Sequence, residues 1–191
     1  MPRPRRIPTT LDANEVRALL RAFTLRYWAP RRNHALVVTM LACDLRCAEA
    51  LALRWDDIDR ATGQLRVHEG KGGHDRVLWL SEHALTVLDE WHKRSRFALV
   101  FPTRKGTPLA GSYVREMMAR MGKAAGITKP VHAHMLRHTF ATNVYAATKD
   151  IRVAQQALGH KDVRTTQIYT HVSDDDVRDA LRGHVVDDST A

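Results

Sequence analysis

The spacing of apolar and polar positions predicts a chain that is helical at both ends with a short run of strands between. Val16, Leu19, Leu20 and Phe23 recur at helical spacing with arginines among them, one face for a core and the other for solvent or phosphate. Asp12 and Glu15 form a capping-box pattern at the front of that run, so a helix starts there, and Pro30 is expected to end the segment. From His34 to about Leu53 the apolar positions are dense enough for a buried helix: Leu36, Val37, Val38, Met40, Leu41, Leu45, Leu51 and Leu53. Asp44, Arg46 and Glu49 interrupt it, and charges so placed need partners.

Between Ile58 and Leu80 the period changes to two. Residues 64–68 and 76–80 alternate as half-buried strands, joined by a glycine-rich turn that sets Lys71 at a hairpin tip. Ser81 then caps a helix carrying Ala84, Leu85, Leu88 and Trp91, and 99–111 reads as loop, broken by Pro102, Gly106 and Pro108. Ser112 begins another helix with Val114, Met117, Met118 and Met121 on its apolar side and Gly126 just past its end. Helical segments follow over about 134–147, 150–158, 164–169 and 173–184. With no internal repeat or dividing linker, the pattern predicts one domain, mostly α with a small antiparallel β-sheet, an α+β fold.

The chain has 191 residues, 44% of them hydrophobic, which suffices for a real core. Lys and Arg number 30 against 21 Asp and Glu, a net charge of +9, and this excess points to a polyanionic partner, nucleic acid first. Residues 1–10 read as a basic tail without the apolar segment of a signal peptide, and no run approaches the ~20 apolar residues that span a bilayer. A cytoplasmic location with no membrane partner is the expectation. Cys43 and Cys47, four apart, are expected on one helix face as reduced thiols, and no Cys-x-x-Cys pair suggests a metal.

Tyr169 carries the candidate chemistry, because Arg46, His134, Arg137 and His160 are available to surround it if the fold brings them together. Attack of a side-chain hydroxyl on a phosphodiester needs an activated nucleophile, cations against the charge of the transition state, and an acid for the departing oxygen. A free tyrosine titrates near ~10, so a base or positive potential must help it. Arginine suits the clamp because its planar fork grips two oxygens and keeps its proton, whereas a lysine can give its proton away, so Lys71 fits the acid. Other readings stand beside these. Tyr169 could be a packing residue, Arg46 could pair structurally with Glu49 or Asp44, and Lys71 could be a solvated turn without the spacing of a nucleotide-binding loop. His132, His134 and His138 could suggest a metal cluster, although only His134 and His138 share a helix face and no carboxylate completes a familiar ligand set.

Five stretches in order resemble the tyrosine recombinases, or phage-type integrases, from about Ile7 to Val172. The run Arg46-Cys-Ala-Glu49 through Asp59 is similar to the family's first arginine box, and Gly70-Lys71-Gly72-Gly73 to the hairpin bearing its lysine. His134-Met-Leu-Arg137 matches the His-x-x-Arg box, Leu158-Gly159-His160 the next, and Tyr169-Thr170-His171 the nucleophile segment. The resemblance implies the tyrosine recombinase catalytic-domain fold over 11–172, with 173–191 a C-terminal helix and tail for contact between protomers. It implies site-specific DNA recombination through a 3′-phosphotyrosyl intermediate, with Tyr169, Arg46, Lys71, His134, Arg137 and His160 catalytic and Glu49 supporting. No cofactor and no metal is implied, and the partners are double-stranded DNA and other protomers, a tetramer on DNA and a monomer when free. Family members usually carry a further N-terminal helical domain, so the chain is expected to begin at the catalytic one. Asp44, Cys47 and Ala48 depart from the Gly and Ser common around the first arginine. Topoisomerase IB-like relaxation and a catalytically idle DNA-binding module are the alternatives.

Overall fold

Asp12 Oδ1 accepts the N–H groups of Asn14 and Glu15 at 2.7 and 2.9 Å, and Glu15 Oε2 accepts the Asp12 N–H at 2.8 Å. This reciprocal cap opens α1 (Ala13–Arg21) in the computed structural model, which describes residues 9–68 and 75–150. Pro30 does not end that segment. α1 stops at Arg21 and Pro30 lies in the first turn of α2 (Trp28–Ala42). The first N–H groups of a helix have no partner within it, so a proline there loses no bond.

The apolar stretch from His34 to Leu53 forms two helices rather than one. α2 ends at Ala42, Cys43 is extended (φ −153°, ψ 161°), and α3 (Cys47–Ala52) starts anew where Glu49 accepts the Arg46 N–H at 2.7 Å. The break lets Asp44 turn inward at 0% exposure. It also corrects the expectation for the cysteines: Cys43 caps the end of α2 and Cys47 opens α3, so they share no helix face, and both are free thiols.

A 3-10 turn over Trp55–Asp57 leads into β1 (Ile58–Asp59), β2 (Gln64–Val67) and β3 (Arg76–Trp79), an antiparallel sheet in the order β1-β2-β3. Ile58 pairs with Leu65, Leu65 with Leu78, and Val67 with Arg76. The pleat buries Leu65, Val67 and Leu78 and leaves Gln64, Arg66, Val77 and Trp79 outside. Lys71, the expected tip, lies outside the described residues.

Ser81 Oγ accepts the Ala84 N–H at 3.3 Å and caps α4 (Glu82–His92), on which Trp91 is fully buried with its indole N–H on the Val100 carbonyl at 2.6 Å. α5 (Gly111–Ala124) ends before Gly126, whose φ of +72° suits a residue without Cβ. α6 (Ala133–Thr148) completes the described part. α2 packs against both α4 and α6, which accounts for the continuous burial of Ala35 through Met40. Buried Arg32 ties α2 to its surroundings without an acid: it donates to the Pro102 carbonyl at 2.7 Å and the Tyr113 hydroxyl at 2.9 Å, and stacks on the Trp28 and Tyr113 rings. Six α-helices and a three-stranded sheet among the described residues make the expected α+β class. Among those residues no helix is long and apolar enough to cross a membrane. The helices expected over 150–158, 164–169 and 173–184 lie outside them.

Candidate active site

Arg46, Arg137 and His134 come from two distant stretches and meet in the walls of one open groove of about 800 Å³. Leu45, Leu51, Leu109 and Val114 supply much of its apolar lining, and Arg115 and His132 add to its basic rim. Arg46 and Arg137 each rest on an acid. Arg46 precedes α3 and its Nη1 donates to Glu49 Oε1 at 2.8 Å, while Glu49 Oε2 holds the Arg46 main-chain N–H. The Arg46 side chain is 56% exposed, so as an isolated pair this contact would add less than ~1 kcal/mol, and its consequence is orientation rather than stability.

Arg137, in the second turn of α6, is 7% exposed, and its Nη2 lies 2.6 Å from Oδ2 of Asp44. Burial pushes the Asp44 carboxyl up to about 7, against the pull of the Arg137 and Arg76 guanidiniums. Glu49 goes the other way. Burial would raise it too, but hydrogen bonds from Arg76 and Arg46 outweigh that and hold it down at about 2.

The front of α6 is a histidine cluster. His132 is the N-cap and its Nδ1 accepts the Met135 N–H at 3.2 Å, which makes a helix cap of one residue considered for a metal cluster. His134 and His138 share a face as their spacing predicts, ring centroids 4.5 Å apart and edge to face. Burial, then Arg137, His132 and Arg46, keep His134 below its ordinary value, so a neutral ring able to accept a proton faces the groove. His138 is pushed down to about 4 by burial and by His134, Arg137 and His132.

The structure thus brings together Arg46, Glu49, His134 and Arg137 of the residues singled out from sequence. Lys71, His160 and Tyr169 lie outside the described residues. Two further residues support the site. Asp44, a charge in an apolar run and a departure from the family pattern, is open from sequence only to a structural pairing with Arg46, and the structure gives it to Arg137 instead. Arg76 grips Glu49 with both terminal nitrogens, and its signal was phase: it shares the strand face of buried Leu78, where a cation needs an acid.

A model of the phage integrase family matches residues 9–176. The tyrosine recombinase XerC of Xanthomonas axonopodis pv. citri is 38% identical over 174 residues, 88% of this chain and 56% of that relative. Tyrosine recombinase XerD of Pseudomonas putida is 35% identical over 175 residues, 87% of this chain and 58% of that protein. Among solved structures, XerA recombinase matches with a TM-score of 0.80 at 32% identity, covering 95% of this chain and 65% of that one. XerH site-specific recombinase, in a post-cleavage complex with palindromic difH substrate, matches at 0.77 and 29%, covering 92% and 53%. The chain spans a little over half the length of the curated relatives it matches. By family model, by relatives and by fold, this chain belongs to the phage integrase family, the tyrosine recombinases.

Proposed function

We propose that this chain cleaves and rejoins DNA strands in site-specific recombination, through a covalent phosphotyrosine. The observation that carries the reading is the convergence of Arg46, His134 and Arg137 on one groove, both arginines seated on acids. Tyr169 Oη attacks the scissile phosphorus, the bond from phosphorus to the 5′-oxygen breaks, and a 3′-phosphotyrosyl diester forms. Neutral His134 assists removal of the tyrosine proton, and Lys71 protonates the departing 5′-oxygen. Arg46, Arg137 and His160 donate to the non-bridging oxygens as their charge builds. A 5′-hydroxyl of a partner strand then attacks the diester, the reverse of the first step, and no external energy source is needed because one diester is exchanged for another.

DNA as partner follows from the net charge of +9 and from relatives such as XerH, solved with its difH substrate. Residues 11–172 are the catalytic unit in this reading, and 173–191 contact a neighbouring protomer in a tetramer on DNA. The test is a nicked DNA substrate carrying candidate sites, incubated with the chain and run on a denaturing gel. Wild type should give a protein–DNA adduct, and Tyr169→Phe should bind the same DNA yet give none. An equal yield of adduct from Tyr169→Phe would sink the assignment.

A further inference from the structure

Arg76 stands behind the groove, on the first residue of β3, and joins the mounts of Arg46 and Arg137. Its Nη1 donates to Glu49 Oε1 at 3.0 Å and its Nη2 to Glu49 Oε2 at 2.7 Å, a bidentate fork. Nη2 also donates to the Asp44 carbonyl at 3.2 Å. Beyond these contacts the two chains of support diverge. Glu49 carries the side chain and main chain of Arg46, and Asp44 carries Arg137.

The geometry matters because a glutamate carboxylate rotates broadly about its last torsion unless something fixes its plane. One donor does not; a fork does. Arg46 is more than half exposed and leans on that carboxylate, so the plane of Glu49 sets where its guanidinium points. The Glu49 and Arg76 side chains are 12% and 13% exposed, too sheltered for water to replace the fork freely. An ion pair serving only stability would need no link to Asp44. Here a single guanidinium spans both supports.

We propose that Arg76 is a positioning residue for the Arg46–Arg137 pair, fixing the Glu49 carboxylate and tethering the Asp44 main chain so that the two guanidiniums keep one spacing. The inference rests on the strand-cleavage reading above. It acts on rate rather than on DNA grip, since Arg76 does not line the groove.

The experiment measures single-turnover adduct formation on nicked DNA at saturating protein, with binding measured alongside, for wild type, Arg76→Gln, Arg76→Lys, Glu49→Gln and the Arg76→Gln/Glu49→Gln double variant. Arg76→Gln should slow adduct formation on the order of tenfold to hundredfold, the scale expected when a reacting group is misplaced by about 1 Å, with affinity unchanged within about twofold. Arg76→Lys keeps the charge without the fork, so it should stay folded and remain slow. The double variant should fall within about threefold of the slower single variant, because both changes remove the same support. A wild-type rate in Arg76→Gln or Arg76→Lys, or single effects that multiply in the double variant, would overturn the inference alone. Absence of adduct from wild type would overturn the strand-cleavage reading and this inference with it.

Discussion

Asp44 shows what one residue can do when the fold takes it out of water. It is fully buried, it grips Arg137, and burial lifts its carboxyl from the ordinary range to about 7. The sign follows from proton binding. Between about pH 4 and about 7 the folded chain holds the Asp44 proton more tightly than the unfolded chain, so this residue's contribution to stability declines as pH rises through that window. Asp44→Asn keeps the shape and removes the titration. Thermal melts of the two proteins should therefore converge or cross as pH rises from 4 to 7, wild type losing ground to the variant, and a constant gap in Tm across that range contradicts the assignment. Above the window Asp44 is a carboxylate and its hold on Arg137 is at its strongest.

At the scale of elements, the neck of the β2–β3 hairpin is fastened by His68. Its Nδ1 lies 2.8 Å from Asp75 Oδ2 and its Nε2 3.0 Å from Asp57 Oδ1, so the ring links the end of β2 to the start of β3 and to the 3-10 turn. Both nitrogens can donate only in the imidazolium, and Asp75, then Asp57, raise its value above the ordinary 6.5. The clasp is fully present below that ordinary value and is lost as pH rises through the raised one. Hydrogen exchange of the β2 and β3 amides should then slow at low pH in wild type relative to His68→Gln, after correction for intrinsic rates. An equal ratio at pH 5.5 and pH 8.5 removes the clasp from consideration. The same elements show how far local pattern reaches. The capping box at Asp12, the Ser81 cap and the alternation across β2 and β3 were legible because each depends on residues a few positions apart. The end of α1, the place of Pro30 and the division of α2 from α3 were not, because apolar density alone cannot tell one buried helix from two.

Across the whole molecule, the N-terminal segment is latched to the far end of the described chain. The Leu11 N–H donates to Thr139 Oγ1 on α6 at 2.9 Å, and that hydroxyl donates to the Met135 carbonyl at 2.9 Å. Lys129 adds contacts to the Thr10 carbonyl at 2.5 Å and Glu15 Oε2 at 2.6 Å. Thr139→Val matches the shape yet leaves the Leu11 N–H without an acceptor in a buried setting, a loss of about 1–3 kcal/mol. Tm should fall by roughly 3–10 °C. A Tm equal to wild type shows that the latch adds nothing.

The sequence alone determined the α+β class, most of the elements, the basic character and the ordered set of residues by which the family is recognised. These depend on composition and on short spacings, which survive without knowledge of how the chain closes. Only the tertiary structure decided that Arg46 and Arg137 share a groove and that Asp44 and Arg76 stand behind them. Arg76 reaches Glu49 across 27 positions, and Asp44 meets Arg137 from the opposite half of the chain. Partners of that kind are chosen by packing, since a buried charge takes whichever opposite charge the fold delivers within about 3 Å, and no local pattern records which one that will be.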